Sequence, residues 1–232
     1  NMGVSGFGPL EYAELARLYL QPQTEWVLVM FFEGNDLSNV ATSAQKKQQN
    51  GGVLPLNLER VSAPPVLDIK TAEEYGYINE SGWYLYPLTH PALNNHKIAY
   101  ISDYLWWIAG EADTYRQSRN VKRFSAELRS IVETAGDACV AVIYAPTKEH
   151  IYFPYADPMG NRIYVLENGR VPILEESGWI GFTPVQELAW DTVAARLDNM
   201  RTVINETVDG LGLPFIDLTP AFQQAAARGE FT

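Results

Sequence analysis

A three-layer α/β/α fold built on a parallel sheet is predicted by three observations. Trp26-Val27-Leu28-Val29-Met30-Phe31-Phe32 is an unbroken apolar run, rich in aromatic and β-branched residues, and reads as a strand buried on both faces. Ala138 to Tyr144 and Leu213 to Leu218 are two further runs of this kind. Between them lie segments with apolar residues at helical spacing, so strands alternate with helices as in βαβ units. The chain reads as one domain over residues 1–232, decorated by insertions at about 37–97 and 150–182.

Composition narrows the function classes. At 232 residues, with 47% hydrophobic and 19% charged content, the chain can bury one substantial core. Its 28 acidic residues outnumber 17 basic ones, giving a formal net charge of -11, which argues against a nucleic-acid partner because phosphate recognition needs a basic face. Cys139 is the single cysteine, which excludes an internal disulfide and a cysteine-based zinc site, and its place in an apolar run predicts a packed thiol. No apolar run reaches the ~18 residues of a membrane helix.

Taken in order, Pro9 to Leu20 predicts a helix, with Pro in its first turn and Leu10, Tyr12, Leu15, Leu18 and Tyr19 on an apolar face. The strand Trp26 to Phe32 ends at Gly34-Asn35-Asp36, ordinary turn chemistry that also lies where open α/β sheets bind ligands. From Leu37 to roughly Lys97 the pattern is irregular, with Gln45 to Gly52 as a polar linker and five prolines after it. The aromatic cluster Tyr75, Tyr77, Trp83, Tyr84 and Tyr86 reads as the insertion's own small core or as a carbohydrate-stacking wall. Ile98 to Tyr115 and Val121 to Ala135 predict helices, with Trp106-Trp107 in the core of the first and Gly136 closing the second. Arg162 to Ile173 predicts a hairpin around Glu167-Asn168-Gly169. Pro184 to Leu211 reads as one long helix whose buried face carries Leu188, Val193, Leu197, Met200, Val203, Ile204 and Val208. Thr219-Pro220 then starts a last helix, Ala221 to Ala227.

Gly3, Gly6 and Gly8 fit neither the Gly-x-Ser-x-Gly nucleophile elbow nor the Gly-x-Gly-x-x-Gly dinucleotide loop, so Ser5 is no expected nucleophile. His90, His96 and His150 lack metal-ligand spacing and stand beside no Ser or Cys motif, and all three read as surface or satisfied-loop histidines. Neither a metal nor another cofactor is expected.

Three segments together resemble the SGNH (GDSL-like) hydrolase family. They are Asn1-x-Gly3-x-Ser5-Gly6, which matches the family's second block; Gly34-Asn35-Asp36, which matches its third; and the late strand Phe215-Ile216-Asp217-Leu218. The family's Gly-Asp-Ser nucleophile block is absent, and no Asp-x-x-His follows Asp217. The resemblance therefore implies an internal fragment, cut on each side just inside the catalytic residues. It implies a flavodoxin-like sheet, with the backbone N–H of Gly6 and the side-chain amide of Asn35 as oxyanion donors. The implied function is that of a serine ester hydrolase or O-acyltransferase acting on a small-molecule or carbohydrate acyl ester, acetyl esters included. Ala145-Pro146-Thr147-Lys148-Glu149 is similar to the post-strand loop of membrane-associated and polysaccharide-modifying members, which implies a bacterial extracytoplasmic or membrane-associated setting. Two rival readings stand beside it: an inactive member that binds a glycan or partner, and a flavodoxin-like nucleotide or phosphate binder in which the opening glycines cradle an anion. In flavodoxin-like strand order the Trp26 to Phe32 strand is expected to keep one edge unpaired.

Overall fold

A computed structural model describes residues 7–56, 83–93, 96–101, 105, 108–158, 162–166 and 185–230. The chain runs through α1 (Pro9–Tyr19), β1 (Trp26–Phe32), α2 (Asp36–Gln49), β2 (Trp83–Pro87), β3 (Lys97–Ile101), α3 (Ala112–Gln117) and α4 (Arg119–Ala135). It continues with β4 (Cys139–Ala145), α5 (Lys148–Tyr152), β5 (Arg162–Leu166), β6 (Val185–Ala189), α6 (Trp190–Arg196), α7 (Asn199–Asp209), β7 (Phe215–Asp217) and α8 (Thr219–Ala227).

The three apolar runs form one parallel sheet in the order β1-β4-β7, with Trp26 opposite Cys139 and Val142 opposite Phe215. The result is a mixed α/β fold in which all three strands point their carboxyl ends the same way. One face is covered. Val27, Val29, Phe31, Val140, Val142 and Tyr144 pack beneath α1, α4 and α7, which contribute Ala13 and Ala16, Phe124 and Leu128, and Met200 and Ile204. Phe31 meets Phe124 with ring centroids 5.0 Å apart and stacks on Tyr144 at 5.8 Å.

The opposite face corrects the expectation of a strand buried on both sides. Burial alternates along β1, leaving Trp26 60%, Leu28 58%, Met30 53% and Phe32 40% exposed, with Ile216 of β7 at 43%. Cys139 lies exposed on β4 beside Trp26, so the thiol expected to be packed is accessible. An apolar run announces a strand but not how many of its faces the rest of the chain covers. Among the described residues β1 also pairs on one edge only. Glu33 N–H donates to Ala145 O, so by the alternation of a parallel ladder the even-numbered residues of β1 turn their backbone groups to the open edge.

Local chemistry explains the helices. Gly8 N–H donates to Glu11 Oε2 at 3.1 Å, tying the start of α1 back to its third residue, and the other Glu11 oxygen accepts from Ser43 of α2. Ser118 caps α4 through Asn120 N–H and Val121 N–H, and Gly136, at φ 59°, ends it in a conformation that favours glycine. Leu18 and Tyr19, expected on the buried face of α1, are exposed.

Three further expectations are revised. Residues 36–49, read as the start of an irregular insertion and a polar linker, form α2, with Asp36 in its first turn and Lys46 and Lys47 in its last, complementing the helix dipole. Ile98 to Tyr115 is not one helix: Lys97–Ile101 is a strand paired antiparallel with β2, while Leu105, Ile108 and Ala109 are helical and α3 takes up the end of the stretch. Pro184 to Leu211 is likewise divided into β6, α6 and α7, with β6 pairing antiparallel with β5. These pieces build a second core, in which Tyr100, Leu105, Ile108, Ile163 and Val193 are buried and Phe153 stacks on Trp190 at 4.0 Å. Gly6, Ser5, Tyr75, Tyr77, Trp106, Trp107 and the Glu167-Asn168-Gly169 turn lie outside the described residues.

Candidate functional site

The carboxyl ends of β1, β4 and β7 release the turns Glu33 to Asn35, Pro146-Thr147 and Leu218. Two buried acids flank Asn35. Glu33, 1% exposed, takes Tyr144 Oη (2.6 Å) and His150 Nδ1 (2.7 Å) on one oxygen, and Thr147 N–H (2.8 Å) and Thr147 Oγ1 (3.0 Å) on the other. Asp36 folds back to accept from Phe32 N–H at 2.9 Å, closing the last edge amide of β1, and receives Tyr12 Oη at 3.3 Å. Gly34 fits between them because it has no side chain: a Cβ there would lie 2.5 Å from the Phe32 ring and 3.2 Å from Thr147 Cγ2.

Asn35 itself stands at the N-cap of α2, where its carbonyl accepts from Asn39 N–H and Ser38 Oγ. Its side-chain amide makes no cap bond and has no hydrogen-bond partner among the described residues. An asparagine at an N-cap ordinarily accepts from the helix's first amides. Here a half-buried amide with free donors is held at the carboxyl end of a strand, the place where parallel sheets bind ligands.

His150 was expected at the surface or satisfied in a loop; it is satisfied, but fully buried. Nδ1 faces Glu33, and Nε2 faces Asp198 Oδ1 at 3.1 Å, just ahead of α7. Each ring nitrogen thus faces a carboxylate oxygen, an arrangement that a ring protonated on both nitrogens satisfies on both sides. Burial pulls the His150 pKa down, but Glu33 and Asp198 outweigh it and hold the imidazolium up to about 9. An imidazolium so engaged has no lone pair to offer as a general base. The network runs on: Arg201 bridges Asp198 (2.8 Å) and Asp217 (2.6 Å), and Asp217 caps Thr219 N–H at 2.8 Å. Asp217 is thus engaged in fixing the start of α8.

Asp36 carries a testable charge state. Burial pushes its carboxyl up to about 7, against the Phe32 N–H bond that lowers it. A protonated Asp36 donates to Tyr12 Oη, freeing the Tyr12 proton for Phe7 O at 3.0 Å and completing the chain of bonds. Because the folded value exceeds the ordinary 3.8, the stabilisation is complete below pH 3.8 and is lost as pH rises through 7. Asp36→Asn supplies a permanent donor to Tyr12 and keeps the acceptor for Phe32. At pH 8 this variant is expected to be more stable than the wild type by ~2 kcal/mol, and at pH 4 to show no gain, measured by urea denaturation.

A surface groove of about 900 Å³ lies elsewhere, lined by Glu111, Asp113, Arg116, Asp191, Arg196 and Asn199. Its arginines are already paired, Arg196 with Glu111 and Arg116 with Asp113 and Glu206, and it holds none of the residues singled out from sequence. Among the described residues no three His, Cys, Asp or Glu side chains are grouped to hold a metal ion, and no helix is long and apolar enough to cross a membrane. No protein-family model matches the chain, and neither a curated protein nor a solved structure matches it.

Proposed function

We infer that these 232 residues carry the oxyanion donors of an SGNH-type serine ester hydrolase or O-acyltransferase, acting on acyl esters of small molecules or carbohydrates. The observation that carries this reading is the unpartnered Asn35 amide, held at the carboxyl end of β1 between two anchored carboxylates. The order β1-β4-β7 supports it, since it is the order of the last three strands of a flavodoxin-like 2-1-3-4-5 sheet.

Acyl transfer needs a nucleophile, a base and donors aimed at the oxygen on which negative charge develops. Asn35 suits the last task because a neutral amide donates without holding a competing charge. Gly6 N–H is assigned as the second donor. Serine nucleophile, histidine base and orienting aspartate are assigned to sequence flanking these residues, where the serine attacks the ester carbonyl and the histidine takes its proton.

Expression with and without the flanking sequence tests the assignment. A gene product carrying Gly-Asp-Ser upstream and Asp-x-x-His downstream is expected to hydrolyse small acyl esters, and residues 1–232 alone to show no turnover above a heat-treated control. Saturable hydrolysis by the 232 residues, abolished by substituting Ser5 or one of the three histidines, would overturn it.

A further inference from the structure

We propose that Glu33, His150 and Asp198 form a positioning relay that locks the Glu33-Gly34-Asn35 turn, and with it the Asn35 amide, to β4 and to the start of α7. The proposal rests on the oxyanion reading of Asn35 for its catalytic consequence, though not for its geometry. Glu33 is a single side chain that touches three separate places on the β4 side: Tyr144 within the strand, Thr147 in the turn after it, and His150 in α5. Thr147 Oγ1, bonded to Glu33, also caps α5 by accepting from His150 N–H at 3.3 Å. His150 then carries the connection to Asp198, and Arg201 carries it to Asp217 at the end of β7. The carboxyl ends of all three parallel strands are therefore joined by one chain of alternating charge: Glu33, His150, Asp198, Arg201, Asp217.

The arrangement is built for position rather than chemistry. Glu33 and His150 are buried, and each polar atom of the two side chains already has a partner, so neither presents a free group to a substrate. The residue between the two anchored acids, Asn35, is the one whose side chain is left free. An oxyanion donor must be held within a fraction of an ångström of its productive place, and a single acid bonded to strand, turn and helix supplies that constraint. The charged groups facing His150 are Glu33 from the end of β1 and Asp198 from the start of α7, and Arg201 stands behind Asp198.

The test uses the full-length gene product labelled with ¹⁵N at histidine and asparagine, as wild type and as Glu33→Gln, His150→Gln and Asp198→Asn. In the wild type both His150 ring nitrogens are expected to be protonated at pH 7.5. Glu33→Gln and Asp198→Asn should each lower the pH at which the ring loses its proton, and Glu33→Gln and His150→Gln should shift and broaden the Asn35 side-chain resonance. With an acyl ester, kcat is expected to fall roughly 10- to 100-fold in Glu33→Gln while KM stays within about twofold, a split that general destabilisation does not produce. Should Glu33→Gln fail to fold, Asp198→Asn carries the test, because Asp198 lies at the exposed end of the relay. A neutral His150 at pH 7.5, or an Asn35 resonance and a kcat unmoved in folded variants, overturns the relay. The two readings fail separately: Asn35→Ala with unchanged kcat removes the oxyanion role, while the response of the Asn35 resonance still decides the relay.

Discussion

On the proposed oxyanion role of Asn35, replacing it with alanine in the whole gene product is expected to lower kcat by roughly 10²–10³, equivalent to ~2.7–4 kcal/mol, with little change in KM. The loss falls on kcat because the donor meets full negative charge only in the transition state. Asn35→Asp is expected to be at least as harmful, since it sets an acceptor where a donor is needed. Stability supplies the internal control. The Asn35 side chain makes no cap bond, so its removal should change folding free energy by no more than about 0.5 kcal/mol. A well-folded Asn35→Ala enzyme with wild-type kcat would reduce Gly34-Asn35-Asp36 to turn chemistry.

The reverse pattern is expected two residues earlier. Glu33→Ala should cost about 3–5 kcal/mol of stability, because it strips the partner from a buried imidazolium and leaves the Tyr144 hydroxyl and Thr147 N–H unsatisfied. Asp198→Ala, at the exposed end of the same chain, should cost no more than about 1 kcal/mol. The pH dependence follows from the direction of the His150 shift. Its folded value of about 9 lies above the ordinary 6.5, so the stabilisation is complete below pH 6.5 and is lost as pH rises through 9. The full loss amounts to roughly 3 kcal/mol. Urea titrations between pH 6 and 10, run in the Asp36→Asn background to remove the lower-lying titration, should reveal this step. A flat profile there would mean that His150 is not charged in the folded protein.

Much of the sheet and its helical cover was legible in the sequence, and the reasons differ by element. The helices at Pro9–Tyr19, Arg119–Ala135 and Asn199–Asp209 announce themselves by apolar spacing, and Met200, Val203, Ile204 and Val208 are buried as expected. The sequence around α2 hides its helix because Ser, Asn, Thr, Gln and Lys dominate it, and Leu37 and Val40 are its only large apolar anchors. Its readable signals were at the ends: Asp36 first, Lys46 and Lys47 last, and Asn50-Gly51 as the stop. β3 was missed because Ile101, Tyr104, Leu105 and Ile108 have helical spacing, which masked the alternation of Ile98 and Tyr100 just before them.

The candidate site was legible only in part. Asn35 was reachable because it directly follows a strand. Glu33 occupies the same strand end and His150 follows the next one, so the topological argument that selects Asn35 could have selected both. Their connection could not be read. Residues 33, 150 and 198 have no fixed spacing, and they meet only because β1 pairs with β4 and α7 returns beside them.

The pairing of β1 with β4 also bears on how the chain reaches its fold. Trp26 finds its strand partner, Cys139, more than a hundred residues further along, and β4 in turn waits for Phe215. During synthesis the edge of β1 that meets β4 therefore waits for more than a hundred further residues, while the helices α1 and α2 can form locally beside it. Closing such a long loop before the β1–β4 ladder can form slows folding, and the apolar side chains of Trp26–Phe32 stay open to aggregation on that side through the interval.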